Sequence, residues 1–217
     1  EACLVGSEMC IRDRIKTMPS NSKVLINDTR VSESFKNNLN NHEFKTKLQF
    51  LSLGAHNIHE ENKMLAAHAI EEILPKNKVI SSLESYEGVK RRFETIFEDK
   101  DFKLVDDFAH HPTAIEETIK MIKEQTNNLV LIVELGSNSM KKGIHDKRLI
   151  NIFKNQDTFI INASSEQRKI FANHAKEITE KDIAEICSVD VEKKTILMCG
   201  NRNFQGFQKL ILDKLIK

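Results

Sequence analysis

From residue 102 onward this sequence alternates between short apolar runs rich in leucine and β-branched residues and longer stretches with helical spacing. The runs at 102–106, 129–135, 158–162 and 195–199 read as strands. The stretches at 112–125, 146–154, 164–175, 181–187 and 206–216 read as helices. A strand that is apolar on both faces must be covered on both, and intervening helices supply that cover. The expected fold class is therefore α/β: a Rossmann-like, mostly parallel sheet with right-handed crossovers.

The helical stretches carry their own signals. In 112–125, Ile115, Ile119 and Ile122 form one stripe, and Pro112 sits in the first turn, where a missing N–H is tolerated. Glu116 and Glu117 lie near the positive end of that helix, and Ser164-Ser165-Glu166-Gln167 fits a capping box.

The earlier part of the chain is less regular. Residues 23–27 and 48–53 read as strands, 37–41 as a polar turn cluster, and 61–74 as a helix with Leu65, Ala69, Ile70, Ile73 and Leu74 on one face, stopped by Pro75. A short helix is expected over 79–83. The stretch from Tyr86 to Arg92 is polar, basic and contains a glycine, which places a domain boundary there and divides the chain into 15–87 and 88–217. Residues 1–14 match nothing that follows and read as a non-native or disordered segment outside the fold.

Charge and composition narrow the function. Lysine and arginine exceed aspartate and glutamate by one, so no electrostatic case exists for nucleic acid or for an anionic membrane. The apolar run at 129–133 is far too short to cross a bilayer. Cys3, Cys10, Cys187 and Cys199 form neither a CxxC pair nor a cluster with histidine, so no metal site or disulfide framework is expected. The chain reads as soluble and cytoplasmic.

Four stretches carry candidate chemistry. Asp106-Asp107-Phe108-Ala109-His110-His111-Pro112-Thr113 puts two carboxylates and two imidazoles at the C-terminal end of a strand, where open α/β sheets bind ligands. Asp107 can accept hydrogen bonds from sugar hydroxyls, and His110 or His111 can hold a phosphate or carboxylate. Gly54-Ala55-His56-Asn57 follows a strand and precedes a helix, and the Asn57 amide can read a donor and an acceptor on a purine edge. Lys90-Arg91-Arg92 offers guanidinium groups that clamp phosphates. Glu134-Leu135-Gly136-Ser137-Asn138-Ser139-Met140-Lys141 presents small hydroxyl and amide groups at a second strand end. Each also has a plainer reading: a capped helix start, an N-cap asparagine, a solvated linker, a loop rich in turn residues.

Taken in order, Gly54-Ala55-His56-Asn57, Tyr86-Glu87-Gly88-Val89-Lys90-Arg91-Arg92-Phe93-Glu94 and the Asp106–Thr113 stretch resemble the Mur ligase superfamily, ATP-dependent amide-forming enzymes of peptidoglycan assembly. The His-His-Pro-Thr form is similar to two branches, one that takes alanine and one that takes a murein peptide; Phe108-Ala109, Ala114-Ile115 and the 134–141 stretch lean to the second. The resemblance implies that 15–87 is the end of a central ATPase domain and 88–217 the C-terminal domain. It implies ATP contacts from Asn57, Arg91, Arg92, Asp107 and His110, and substrate contacts from His111, Ser137, Asn138 and Ser139. It implies ATP and magnesium (Mg2+) as cofactors, and UDP-N-acetylmuramic acid and a murein tripeptide as partners. The reaction implied passes through an acyl phosphate that the peptide amine attacks.

The family's phosphate loop, GxxxxGK[ST], does not occur in the 217 residues, and the resemblance places it upstream in a longer protein. No complete catalytic set is expected within this chain, and a non-catalytic nucleotide-binding α/β module stands as the alternative outside the ligase class. Three further departures stand out. Glu60 replaces an asparagine. Leu135-Gly136 replaces a Pro-Arg pair, which implies the loss of a clamp for a substrate carboxylate. Asn201-Arg202-Asn203-Phe204-Gln205-Gly206 replaces a glycine-rich Asn-Gly-Gly-Phe-Gly-Gly.

Overall fold

The structure, a computed structural model, describes residues 8–41, 44–53, 58–71, 73–84 and 89–216. It divides into two compact units, Glu1–Glu87 and Gly88–Lys217.

The first unit runs α1 (Glu8–Thr17), β1 (Lys23–Asn27), a 3-10 turn (Asp28–Arg30), α2 (Glu33–Asn40), β2 (Lys47–Leu51), α3 (Ile58–Ile70) and α4 (Lys76–Glu84). Strands β1 and β2 pair in parallel, with Val24 beside Leu48 and Ile26 beside Phe50. Val24 and Ile26 pack with Ile15, Phe35 and Leu39. Helix α1 begins inside the stretch 1–14 that the sequence set apart. Helix α2 occupies much of the expected turn at 37–41. Ser32 caps it by accepting a hydrogen bond from Phe35 N at 3.1 Å, and Phe35 and Leu39, one turn apart, are both buried. Burial of that face outweighs the weak helix propensity of three asparagines on the exposed side. Asn27, at the end of β1, donates from Nδ2 to Glu61 Oε1 of α3; both residues are buried.

The second unit is a six-stranded sheet. Its elements are β3 (Glu94–Glu98), β4 (Phe102–Asp107), α5 (Pro112–Lys123), β5 (Leu129–Glu134), α6 (Asn138–Lys141), α7 (Asp146–Phe153), β6 (Asp157–Ile161), α8 (Ser165–Phe171), β7 (Lys176–Glu177), α9 (Asp182–Ile186), β8 (Lys194–Cys199), a 3-10 turn (Phe204–Gly206) and α10 (Phe207–Leu215). The strand order is β3-β4-β8-β5-β6-β7. Every pairing is parallel except β3 with β4. This is the α/β, mostly parallel architecture expected from the alternating pattern.

The period-2 rule of strands divides the core between two faces. Val105, Leu131, Val133, Ile160 and Leu197 face α5, α7 and α8, meeting Ile115, Ile119, Leu149, Phe153 and Phe171. Leu104, Val130, Ile132, Phe159, Ile196 and Met198 face α9 and α10, meeting Ile183, Ile186 and Ile211. Each fully buried leucine or isoleucine contributes about 2 kcal/mol, which explains why the central strands carry no polar alternation.

Two edge strands escaped the sequence reading. Strand β3 is only half-buried and carries a register shift between Thr95 and Phe97, so its alternation is broken. Strand β7 is two residues long, too short for a periodic signal. The capping box of α8 does more than start a helix. Gln167 Oε1 accepts from Ser164 N at 3.2 Å, while Nε2 donates to Met140 O at 2.8 Å and Asp146 Oδ1 at 2.9 Å. One buried amide thereby ties α8 to the turn that follows β5.

Candidate functional site

Two of the four candidate stretches, with five of the candidate residues, converge where β4 ends. Arg91 and Phe93 take up left-handed backbone conformations, with φ of 59° and 55°. This sharp path lays the segment along the end of β4. Phe108 N donates to Arg91 O at 2.7 Å, and Arg91 N donates to Glu94 Oε2 at 2.7 Å. Non-glycine residues with positive φ are strained, so something must hold them there.

Asp107 is part of that hold. Its Oδ2 accepts from Phe93 N at 2.9 Å and its Oδ1 from Ala109 N at 2.7 Å, so the carboxylate staples the incoming segment to the turn that leads into α5.

Arg91 is equally committed. Its Nε donates to Asp106 Oδ2 at 3.0 Å and its Nη2 to Gly200 O at 2.9 Å, with the guanidinium 5.2 Å from the Phe204 ring centroid. Gln208 Nε2 of α10 supplies a second donor to Asp106 Oδ2 at 2.9 Å, while Asp106 Oδ1 is buried with no hydrogen-bond partner among the described residues. Arg91 therefore joins β4 to the loop after β8, and Asp106 carries the link on to α10 through Gln208.

Arg92 differs. It is exposed, its guanidinium lies 5.0 Å from the Phe108 ring centroid, and among the described residues it makes no ion pair or side-chain hydrogen bond. The Phe108 ring meets His110 edge-on at 5.2 Å. Arg92, Phe108 and His110 thus form one contiguous surface that offers a free cation.

The two histidines are fixed in opposite tautomers. His110 Nδ1 lies 2.9 Å from Phe108 O, an acceptor, so Nδ1 carries the proton and the neutral ring offers Nε2 as an acceptor. His111 is the N-cap of α5 and its Nδ1 accepts from Thr113 N at 3.4 Å, so the neutral ring offers Nε2–H as a donor. Burial lowers the His111 pKa, and the nearby His145, Arg148 and His110 lower it further against an opposing pull from Glu116. His145 of the α7 N-cap meets His111 edge-on at 4.5 Å, and Arg148 Nε donates to Glu116 Oε1 at 3.3 Å, bridging α7 to α5. Nothing in the sequence linked His145 to His111, because the pairing arises only when α7 packs beside α5.

The remaining candidates lie past β8, at the end of β5. Glu134 is buried; its Oε1 accepts from Asn162 Nδ2 at 2.9 Å and its Oε2 from Phe204 N at 3.2 Å. Phe204 and Gln205 adopt positive φ (52° and 51°), so this turn takes left-handed geometry at two non-glycine residues. Ser137 caps the four-residue α6, accepting from Met140 N at 3.3 Å, and its Oγ lies 3.4 Å from Ser139 Oγ. Asn138 is exposed.

The structure thus groups Arg91, Arg92, Asp107, His110 and His111 at the end of β4, and Ser137, Asn138 and Ser139 at the end of β5, with β8 between them. Asn57 and its turn, residues 54–57, lie outside the described residues, as do residues 1–7 and 85–88. Among the described residues no group of three or more His, Cys, Asp or Glu side chains is placed to hold a metal ion, and no helix is long and apolar enough to cross a membrane.

The family model described as Mur ligase, glutamate ligase domain, matches residues 91–202. Among curated proteins, the chain is 34% identical over 89 residues to the UDP-N-acetylmuramate–L-alanine ligase of Clostridium perfringens, covering 40% of this chain and 20% of that protein. It is 27% identical over 180 residues to the UDP-N-acetylmuramate–L-alanyl-gamma-D-glutamyl-meso-2,6-diaminoheptandioate ligase of Haemophilus influenzae, covering 75% and 38%. The chain spans well under half the length of these curated relatives. A solved murein peptide ligase from Psychrobacter arcticus shares the fold with a TM-score of 0.68 at 21% identity, over 96% of this chain and 54% of that one. A UDP-N-acetylmuramate-alanine ligase from Thermotoga maritima gives 0.57 at 19% identity, over 75% and 39%.

Proposed function

The chain belongs to the Mur ligase family, matching it through the glutamate ligase domain, and from that premise we propose that it is the C-terminal portion of an ATP-dependent ligase joining a murein tripeptide to UDP-N-acetylmuramic acid in the cytoplasm. The observation that carries the reading is the free Arg92 guanidinium, seated on Phe108 beside His110 at the C-terminal edge of the sheet.

A planar, permanently charged fork with no ion pair or side-chain hydrogen bond among the described residues suits a phosphate. In this reading Arg92 and His110 face the ATP phosphates. Asp107 meets the ribose hydroxyls, and its bonds from Phe93 N and Ala109 N keep the turn closed. Asn57 reads the adenine. Arg91 is the anchor that holds Arg92 in place. ATP supplies the phosphoryl group that activates the muramyl carboxylate as an acyl phosphate. The described residues hold no acidic cluster for Mg2+, so the ion would rest on the phosphates and on groups outside them. On the acceptor side, His111 offers Nε2–H, and Ser137, Asn138 and Ser139 offer hydroxyl and amide groups toward the peptide. Fixed donors of this kind lower the barrier by orienting the amine and offsetting developing charge.

L-alanine as the acceptor is a second reading, favoured by the higher identity over 89 residues to an alanine-adding relative. The peptide reading is favoured by the longer match, 75% of this chain, to a peptide-adding one. Phosphate release by the full-length ligase, measured with UDP-N-acetylmuramic acid and either amine, separates them. Release with the tripeptide and not with alanine is expected. Release with neither would refute the ligase assignment.

A further inference from the structure

Gln167 belongs to none of the four stretches with candidate chemistry, yet it is tied to two groups of residues that carry it. It is 2% exposed. Its amide holds one acceptor and two N–H groups, and each of the three finds its partner. Oε1 accepts from Ser164 N at the start of α8, while Nε2 donates to Met140 O of α6 and to Asp146 Oδ1 of α7. The capping box needs only the first bond, and a glutamate would make it equally well. The other two need an amide, because a second carboxylate oxygen at residue 167 would face the Met140 carbonyl and the Asp146 carboxylate. The residue type is therefore set by α6 and α7 rather than by the helix that Gln167 caps.

Both partners belong to the turn between β5 and α7. Helix α6 is four residues long, too short to hold itself in water. Gly143 leaves it in a left-handed conformation, φ 69°, and a Cβ there would lie 2.8 Å from Asp146 Oδ2. Gly143 N donates to Met140 O at 3.1 Å, so that carbonyl takes one bond from within the turn and one from Gln167. Ser137, Asn138 and Ser139 precede Met140, and His145 precedes Asp146. His145 makes no side-chain bond to α7, its own helix, and its ring rests edge-on against His111 at 4.5 Å. One buried amide thus braces groups that belong to two different strand ends.

We propose that Gln167 is a positioning residue of the ligase. Through Met140 O it holds the turn that carries Ser137, Asn138 and Ser139, and through Asp146 it holds His145 against His111. Buried as it is, Gln167 touches no substrate, and it acts only through these two arms. The inference rests on the ligase reading for what the positioned groups meet, whereas the brace itself is a property of this chain.

A donor–acceptor swap separates the arms. Gln167→Glu loses the donor to both partners and sets a carboxylate beside Asp146. Adding Asp146→Asn restores the net charge and lets residue 146 donate to residue 167, so the link to α7 returns while the link to Met140 O does not. Phosphate release by the full-length ligase is measured with the tripeptide L-Ala-γ-D-Glu-meso-diaminopimelate varied, then with ATP varied. Gln167→Glu should raise the tripeptide KM about tenfold and leave the ATP KM within about twofold. The double variant should recover the thermal midpoint but keep the tripeptide KM raised about threefold. Gln167→Met, which lacks all three bonds, replaces Gln167→Glu should that variant fail to fold by far-UV circular dichroism. In the 217-residue chain, proton–nitrogen correlation spectra of the His111 ring should shift with Gln167→Glu and return with the double variant. Equal rises in the two KM values, recovery of the tripeptide KM together with the midpoint, or an unmoved His111 signal overturns the proposal. A full-length protein inactive with the tripeptide and with alanine refutes the ligase reading instead, and the His111 signal then decides whether the brace exists.

Discussion

Replacing Arg91 by alanine is the sharpest test of how this site is held together. The Asp106 side chain is 5% exposed and receives two donors on Oδ2, Arg91 Nε and Gln208 Nε2; its Oδ1 receives none. Without Arg91 one neutral amide remains to serve a buried carboxylate. Breaking a fully buried ion pair costs about 3–5 kcal/mol. The Arg91 side chain is 31% exposed, so water softens that loss, whereas the bond to Gly200 O and the stacking on Phe204 are lost as well. The net cost should be about 3 kcal/mol. Arg92→Ala removes an exposed cation with no internal bonds and should stay within about 0.5 kcal/mol. The chain has no tryptophan and one tyrosine, so urea unfolding is best followed by far-UV circular dichroism. Adding Asp106→Asn to Arg91→Ala removes the uncompensated charge and should recover part of the loss. If Arg91→Ala and Arg92→Ala cost the same within about 0.5 kcal/mol, or the double variant shows no coupling, the anchor reading is wrong.

Two other outcomes follow from the geometry. Because the His111 pKa is lowered, first by burial and then by His145, Arg148 and His110, the folded chain takes up a proton there less readily than the unfolded chain. Its contribution is complete above about pH 6.5 and is lost as the pH falls through the lower folded value; His111→Asn, which keeps a capping oxygen without titrating, should flatten that decline, and an unchanged profile would discount the cap. Gly200→Ala would place a Cβ 2.8 Å from Glu134 Cβ and 2.9 Å from Phe204 Cε1, and should cost about 1–3 kcal/mol by overpacking. An unaltered thermal midpoint would show that this corner yields more easily than its packing suggests.

The β-rich core of the second unit was legible in the sequence because its strands are apolar on both faces and its helices carry clean stripes. Strand β3 was not, because a bulge and charged ends hide its period. Helix α2 was not, because its stability comes from burying Phe35 and Leu39 and from the Ser32 cap rather than from its asparagines. At the candidate site, residue types near Asp106–Thr113 singled out one strand end. Their division of labour did not show, since adjacent arginines with identical chemistry differ only in what the fold places beside them. The bond from Arg202 Nε to Gly136 O joins two loops 66 residues apart, and a single sequence gives no local signal for it.

Strand β8 is the last of the sheet to be made, yet it lies between β4 and β5, which do not pair with each other. On a ribosome, everything through β7 emerges with a slot at its centre. The hairpin of β3 and β4 can form early, and so can the layer of β5 and β6. Neither can join the other until residues 194–199 leave the exit tunnel. Such long-range closure slows folding and leaves two unpaired strand edges waiting for the same insert. A chain interrupted between Glu177 and Lys194 would therefore leave two half-sheets with their central edges bare, and Arg91 would lack the Gly200 carbonyl that it bonds.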